Sequence, residues 1–358
     1  MADTAILAPP RAPSGAAVLA KRLFGSPFNA VLTLLVLWAV ASAAAPLIRW
    51  AILDAVLFPA EPAACRDAQG ACWSFVAAKG GQILFGIYPI EERWRPMLVS
   101  AALLVLLGYS LRPAAWRPRL AAVWALVLPA ALVLMFGGFA GLSYVATTMW
   151  GGLPVTLILT VTAVGGAFPL AVLLALGRRS ELPAIRVLAT LFIELTRALP
   201  LLSILFIASI LLPLLVPEWL LPDKFFRAMI ALLLFAAAYL AEVVRGGLQA
   251  LPPGQAEAAQ ALGLGYWQTQ RHVVLPQALA VVIPSLTNTV IVMIKNTSLV
   301  LVVGLFDLIS SGKAALADPE WSSPAMETYL FIAAIYFGLC FGFGRFAAAL
   351  ERHTRTDA

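Results

Sequence analysis

Apolar runs long enough to cross a bilayer recur along this chain, separated by short polar passages that hold most of the arginines. A bilayer core takes about 20 apolar residues per helix. On that measure the pattern predicts spans at residues 28–48, 97–111, 120–142, 153–177, 188–216, 228–244, 279–294 and 328–350. These make about eight helices, so the expectation is an all-α integral membrane protein, because isolated helices satisfy their own backbone groups in lipid. A further apolar stretch, 299–309, is too short to cross and reads as a re-entrant or interfacial segment packed in protein.

Composition agrees with the pattern. Charged residues make up 12% of the chain, where a soluble domain carries about 25%, and mean hydropathy is +0.92. The net charge of +6 sits in short loops, which sets topology and gives no reason to expect nucleic acid. Basic groups fall at Arg11, Lys21 and Arg22, at Arg112, Arg117 and Arg119, at Arg178, Arg179 and Arg186, at Arg245 and Arg271, and at Arg345, Arg352 and Arg355. Eight spans put all of them on one side. Opposite them, 137–152 carries no charge and 314–327 carries Asp318, Glu320 and Glu327, while the loop after the fifth span mixes Glu218 and Asp223 with Lys224 and Arg227. Both termini are therefore expected in the cytoplasm. Residues 1–27, with Pro9, Pro10 and Pro13, read as a disordered basic tail ahead of an uncleaved first span. The chain holds no GxxxxGK[ST] loop, no HExxH and no metal-spaced Cys/His cluster, so neither a nucleotide site nor a metal site is expected.

One long polar passage interrupts the second half: EVVRGGLQALPPGQAEAAQALGLGYWQTQRHVVLPQA, 242–278. Pro252, Pro253 and Gly254 precede a helical piece at 255–262, Gly263–Gly265 make a turn, and a second piece at 266–274 stops at Pro276. This is a two-helix knuckle outside the bilayer. Glu257-Ala258-Ala259, Gly263, Val273 and Leu275-Pro276 resemble the EAA loop of ABC importer permeases, with Val273 where the family often has Ile. The flanks AYLAEVVRGGLQALPPGQAEAAQALGL and KNTSLVLVVGLFDL resemble the polar amino-acid branch, and the likeness covers about residues 151–350.

The resemblance implies a type I, MetI-like core of about five helices at 146–350 with its coupling loop at 245–277. A three-helix extension (28–145) would precede it, with a periplasmic loop at 49–96, as in some general L-amino-acid permeases; a short tail, 351–358, would follow. It implies an inner-membrane, multi-pass chain that moves amino acids and docks ATPase subunits through Glu257, Ala258, Ala259, Gly263, Tyr266, Trp267 and Pro276. The partners would be two ATPases, a second permease (identical or homologous), a periplasmic amino-acid-binding protein and membrane lipid. ATP and Mg would be bound by the ATPases, and this chain would carry no cofactor and no enzymatic activity. Tyr266 and Trp267 suit either a partner groove or the lipid interface. His272 on the same piece reads as a surface residue.

Candidates for the substrate path are Lys295, Asn296, Thr297 and Ser298, with Glu194 and Arg197. A lysine beside hydrogen-bonding side chains can meet a carboxylate and an ammonium, although the lysine can equally snorkel while its neighbours cap a helix. Related permeases often have Asp in place of Asn296, which argues against strict preference for basic amino acids. Glu194 and Arg197 stand three residues apart, within reach of a bracing ion pair, and fit the family's Glu-x-x-Arg-x-x-Pro with Pro200. The threonines of the fourth span, Thr156, Thr160 and Thr162, can bond their own helix carbonyls. Cys65 and Cys72, in CRDAQGAC of the outer loop, can close a disulfide in an oxidising compartment, and Cys340 reads as a buried apolar residue. Two other readings differ in class: a self-contained secondary transporter, which would show an internal repeat or mid-span acids, and an importer permease for a cargo other than amino acids.

Overall fold

The computed structural model describes residues 15–57, 61–112 and 115–356. It forms two compact units, Met1–Ser74 and Phe75–Ala358. In the first unit, α1 (Gly15–Phe24) turns sharply into α2 (Pro27–Ile48). Ser26 caps α2 by accepting from Asn29 N at 3.2 Å, and Pro27 fills a first-turn position that needs no donor. Thr33 Oγ1 donates to Leu23 O at 2.9 Å across the bend. Residues 15–24 are thus helical where a disordered tail was expected, because Ala, Leu, Lys and Arg are strong helix formers. Pro9, Pro10, Arg11 and Pro13 lie outside the described residues.

Helix α2 is apolar on every side and none of its residues is buried, the pattern of a helix surrounded by lipid or by another chain. A π turn, Arg49–Leu53, ends it. Beyond come the short helix α3 (Pro62–Arg66) and a disulfide between Cys65 and Cys72, whose Cα atoms are 5.6 Å apart. Bonds from Ala71 N to Trp50 O and from Trp73 Nε1 to Ala51 O, both 2.8 Å, tie this loop to the end of the span.

The second unit contains all but the first two residues of α4 (Trp73–Phe85), together with α5 (Trp94–Ser110), α6 (Pro118–Phe136), α7 (Leu153–Arg178), α8 (Pro183–Ala198), α9 (Leu201–Phe206), α10 (Leu212–Leu215), α11 (Lys224–Ala250), α12 (Gly254–Ala261), α13 (Tyr266–Thr269), α14 (Leu275–Val281), α15 (Ile283–Asn296), α16 (Leu308–Leu316) and α17 (Ala325–Thr356). Its centre is the pair α7 and α11. Ala163, Ala167, Ala171 and Ala175 repeat at one-turn spacing along α7 and are all buried, facing α11 with its own buried Ala228, Ala231, Ala238 and Ala241. Gly166 belongs to the same contact: a Cβ there would lie 2.7 Å from Leu233 Cδ1. Small side chains let two backbones approach where lipid gives no hydrophobic drive.

The expected count of eight spans is not reached by length and apolarity alone. Among the described residues 6 helices are long and apolar enough to cross, and 7 if one bent pair counts as a span. Helix α5 has 17 residues, about 25 Å, at the short end of what crosses a bilayer core. The bent pair replaces the single span expected at 188–216: α8 meets Leu201–Leu215 at 104°. Leu199 is extended (φ −91°, ψ 136°), as the residue before a proline prefers. Residues 299–303 do not form a separate re-entrant piece, since 3₁₀ turns Thr297–Val303 complete the span Ile283–Val303. Gly304 (φ +74°) then reverses the chain, and Asp307 caps α16 by accepting from Ile309 N at 3.1 Å and Ser310 N at 2.9 Å. Burial pushes the Asp307 carboxyl up, against the pull of these bonds. Helix α17 runs on to Thr356, so most of the expected tail 351–358 is helical.

The expected grouping of residues 28–145 also changes, because 75–145 pack with the later helices. Phe75 stacks edge-on against Trp321 at 5.3 Å, and Lys79 pairs with Asp318. Arg95, fully buried, binds Glu92 at 2.7 Å and Ser143 O at 2.8 Å. The Ser143 hydroxyl donates to Glu92 at 2.6 Å and, with Arg95, holds that carboxyl below the usual range. Tyr88 donates to Met135 O at 2.8 Å, and Thr147 to Asp223 at 2.7 Å.

Gly152 opens α7 at φ +73°, where a Cβ would stand 2.1 Å from Leu84 O. The site combines a backbone region open to glycine with a direct backbone clash. Gly152→Ala should therefore cost more than about 3 kcal/mol and lower the temperature at which the detergent-solubilised chain loses its monodisperse gel-filtration peak. Gly80→Ala in α4, where a Cβ meets nothing within 4 Å, should match or exceed the parent. Equal behaviour of the two variants would refute the close approach.

Candidate functional site

Where α11 ends, the chain builds the knuckle in three steps. Pro252 and Pro253 lead into α12, Gly263 (φ +81°) makes the turn, and Gly265 N donates to Gln268 Oε1 at 3.0 Å to start α13. A five-residue π turn, Gln270–Val274, follows and passes directly into α14. Pro276 therefore does not stop the second piece, as its position had suggested. The wide turn before it removes the need for the proline's missing N–H, and the helix continues. Nor does the loop begin at residue 245, since α11 remains helical to Ala250.

The knuckle is seated on the central helix pair. Val274 and Ala278 pack with Ala175, Leu176, Val244 and Leu248 in one buried cluster. Helix α14 crosses α11 at Gly247, where a Cβ would sit 2.4 Å from Ala278 O. Arg179 donates to Leu248 O at 2.9 Å. Of the seven residues expected to dock a partner, Glu257, Ala258, Gly263, Tyr266, Trp267 and Pro276 are exposed, with Tyr266 and Trp267 in edge contact at 5.3 Å. Ala259 is buried. His272 is exposed on the same side.

At the root of the knuckle lies a cluster of charges on three helices. Glu242 of α11 binds Arg178 at 2.5 Å, Arg245 at 2.9 Å and Arg197 at 3.5 Å. Arg178 also binds Glu194 at 2.8 Å, and Arg197 lies 5.8 Å from the Tyr239 ring centroid. The expected Glu194–Arg197 pair within α8 is thus replaced by pairs between helices: α8 uses Glu194 to hold the end of α7 and Arg197 to hold α11. Sequence reasoning used Arg178 and Arg245 only to set topology and gave no role to Glu242; the readable sign was Glu242 three residues before Arg245, about two turns before α11 ends.

A family model described as the binding-protein-dependent transport system inner membrane component matches residues 167–356. The chain belongs to this family. It is 45% identical over 342 residues to the inner membrane amino-acid ABC transporter permease protein YhdY of Escherichia coli K12, covering 94% of this chain and 92% of that protein. It is 35% identical over 408 residues to the glutamate/glutamine/aspartate/asparagine transport system permease protein BztC of Rhodobacter capsulatus, covering 94% and 93%. The solved structure described as an amino acid ABC transporter with histidines overlays on 55% of this chain and 90% of its own, at 33% identity and a TM-score of 0.48. This transport component is accordingly a multi-pass inner-membrane protein.

In the transport component the six substrate-path candidates form two groups. Glu194 and Arg197 belong to the cluster at the knuckle's root. Lys295 to Ser298 close α15, which leaves the knuckle and ends about 20 Å further on. There Thr297 donates to Ile294 O at 2.7 Å and Ser298 to Lys295 O at 2.8 Å, while the Asn296 amide lies 3.9 Å from Met293 Sδ. These side chains are engaged with their own helix, and Lys295 alone is exposed. In α7, Thr156 donates to Gly152 O at 3.2 Å and Thr162 to Ile158 O at 2.6 Å, as their spacing suggested.

The Glu242 side chain is 16% exposed and faces three guanidiniums. Glu242→Gln would leave those cations sharing one half-exposed carboxylate, at a cost of about 2–3 kcal/mol. Glu194→Gln, at a side chain 52% exposed, should lose less than about 1 kcal/mol. Thermal unfolding midpoints of the two variants in the same detergent test the ranking, and a reversed order would refute the central place of Glu242.

Proposed function

We propose that this chain is the membrane-spanning permease subunit of an ATP-driven importer of amino acids, with polar or general L-amino acids as cargo. The observation that carries the reading is the knuckle itself. Its exposed face offers Glu257, Tyr266 and Trp267 to a partner, while its inner face is locked onto α7 and α11. A surface built this way passes a push from outside into the spans without yielding. The amino-acid cargo is supported by the names of the two relatives that match along most of this chain.

On this reading two ATPase subunits hold ATP and Mg and seat the knuckle of this chain and of a second permease. A periplasmic binding protein delivers cargo on the opposite side. On this reading the knuckle and both termini lie in the cytoplasm, which the positive-inside pattern of the loops supports. Closure of the ATPases on nucleotide moves the knuckle, and α7, α8 and α11 follow because Glu242 and its arginines join them at the root. Glu257 keeps knuckle and ATPase in register, and Gly263, at φ +81°, supplies a turn that other residues strain to make. Lys295, exposed at the far end of α15, is the cation of this chain best placed to meet a cargo carboxylate.

Glu257→Ala should abolish amino-acid uptake in cells while leaving the amount of chain in the membrane unchanged. A tagged pull-down from native membranes in mild detergent should bring an ATPase and a second multi-span permease with the parent chain, and less ATPase with the variant. Normal uptake by Glu257→Ala would refute the docking role. A parent chain that comes alone and moves solute in liposomes without ATP would refute the importer reading as a whole.

A further inference from the structure

A cavity of about 610 Å³ lies between α5 and α6 on one side and α7, α15 and α17 on the other. Its walls are apolar and lined with glycine: at Gly108, Gly165, Gly338 and Gly342 an added Cβ would meet nothing within 4 Å. Along α7 it extends from Leu157 to Gly166, a rise of about 14 Å, which is close to half the hydrocarbon thickness of about 30 Å. Water has little to hold it there. Among the described residues Thr160 Oγ1 is the unpaired lining hydroxyl, because Ser110 already donates to Leu106 O at 2.7 Å and accepts from Trp124 at 3.0 Å. A buried water needs two to four polar partners.

At one end of this cavity the lining residues stand next to arginines in the sequence. Ser110, Leu111 and Ala121 line the end where α5 passes into α6, and Gly342 and Phe343 line the facing stretch of α17. Arg112, Arg117, Arg119 and Arg345 are exposed beside these residues, and none forms an ion pair among the described residues. Trp116 joins the two sides there, edge-on to Phe346 at 5.9 Å, with its indole N–H bonded to Ser110 O at 2.9 Å. Alternation of the helices puts this end of the cavity at the knuckle's end of the bundle. Basic pockets between spans at the inner surface suit anionic lipid headgroups, and tryptophan suits the same depth.

We propose that this cavity is a resident site for one anionic phospholipid. An acyl chain fills the apolar interior, and the phosphate sits among the arginines at the rim. The lipid fills the space that α5 and α6 leave against α7, α15 and α17.

The test uses the full chain in its native complex, extracted in mild detergent and washed with detergent free of lipid. Retained phospholipid is read by native mass spectrometry and organic phosphate, and the complex is then returned to nanodiscs of phosphatidylglycerol or of phosphatidylcholine. The parent should retain one anionic phospholipid per chain. Gly338→Leu/Gly342→Leu, which fills the interior, and Arg112→Gln/Arg117→Gln/Arg119→Gln/Arg345→Gln, which empties the rim of charge, should each retain at least fivefold less. Phosphatidylglycerol should raise the parent's unfolding midpoint over phosphatidylcholine, and the arginine variant should lose that difference. If the leucine variant fails to fold, the arginine variant and the lipid comparison decide alone. Retention of no lipid by the parent, or equal retention of neutral lipid with no effect of the arginines, would overturn the proposal. So would weaker association of the second permease with the leucine variant when the parent carries no lipid, since the occupant would then be a protein helix.

Discussion

Two helices that meet in lipid gain nothing from leaving water, so their contact has to come from close packing. The alanine seam between α7 and α11 meets that requirement, and most of the second unit is placed by it. The start of α7 receives the end of α4 at Gly152. The far ends of the same two helices receive the knuckle, through Gly247 and an apolar cluster that includes Ala175 and Val244. A bulky residue in the seam would separate the backbones and loosen both ends together.

The charge cluster adds direction to that scaffold. Packing of small residues resists separation but allows sliding, whereas Glu242 facing Arg178, Arg197 and Arg245 sets how far α7, α8 and α11 can shift against one another. Because its members come from three helices, the cluster moves as a body or breaks. On the proposed function, that property suits carrying a displacement from the knuckle into the spans.

Much of this was legible in the sequence. Apolar runs located the long helices but not all of their ends, and Pro252, Pro253, Gly254 and Gly263 marked the knuckle because each restricts or frees the backbone locally. What escaped was set by partners distant in sequence. Glu194 and Arg197 stand one turn apart and invite pairing, yet Arg178 and Glu242 offer better geometry from neighbouring helices. Pro200 was recognised as part of a motif, and its consequence, a turn of 104°, was not drawn from it. The alanine repeat of α7 was in plain view but indistinguishable from ordinary apolar filling without its partner helix. Ala259 looked like a surface position because its neighbours Glu257 and Ala258 are, although one residue's rotation turns it inward.

The π turns carry a consequence for helical phase. Ile207–Leu211 and Gln270–Val274 each precede a proline, Pro213 and Pro276, and each holds one residue more than an α-helical turn requires. That extra residue rotates everything after it by about 100°, the step of one residue in a 3.6-residue helix. Counting by α-helical spacing across Gln270–Val274 therefore assigns every later side chain to the wrong face. The orientation that brings Ala278 against Gly247 depends on the surplus residue being there. Substitutions within the turn leave the phase intact. Loss of a single residue would swing α14 about its own axis and present a different stripe to α11.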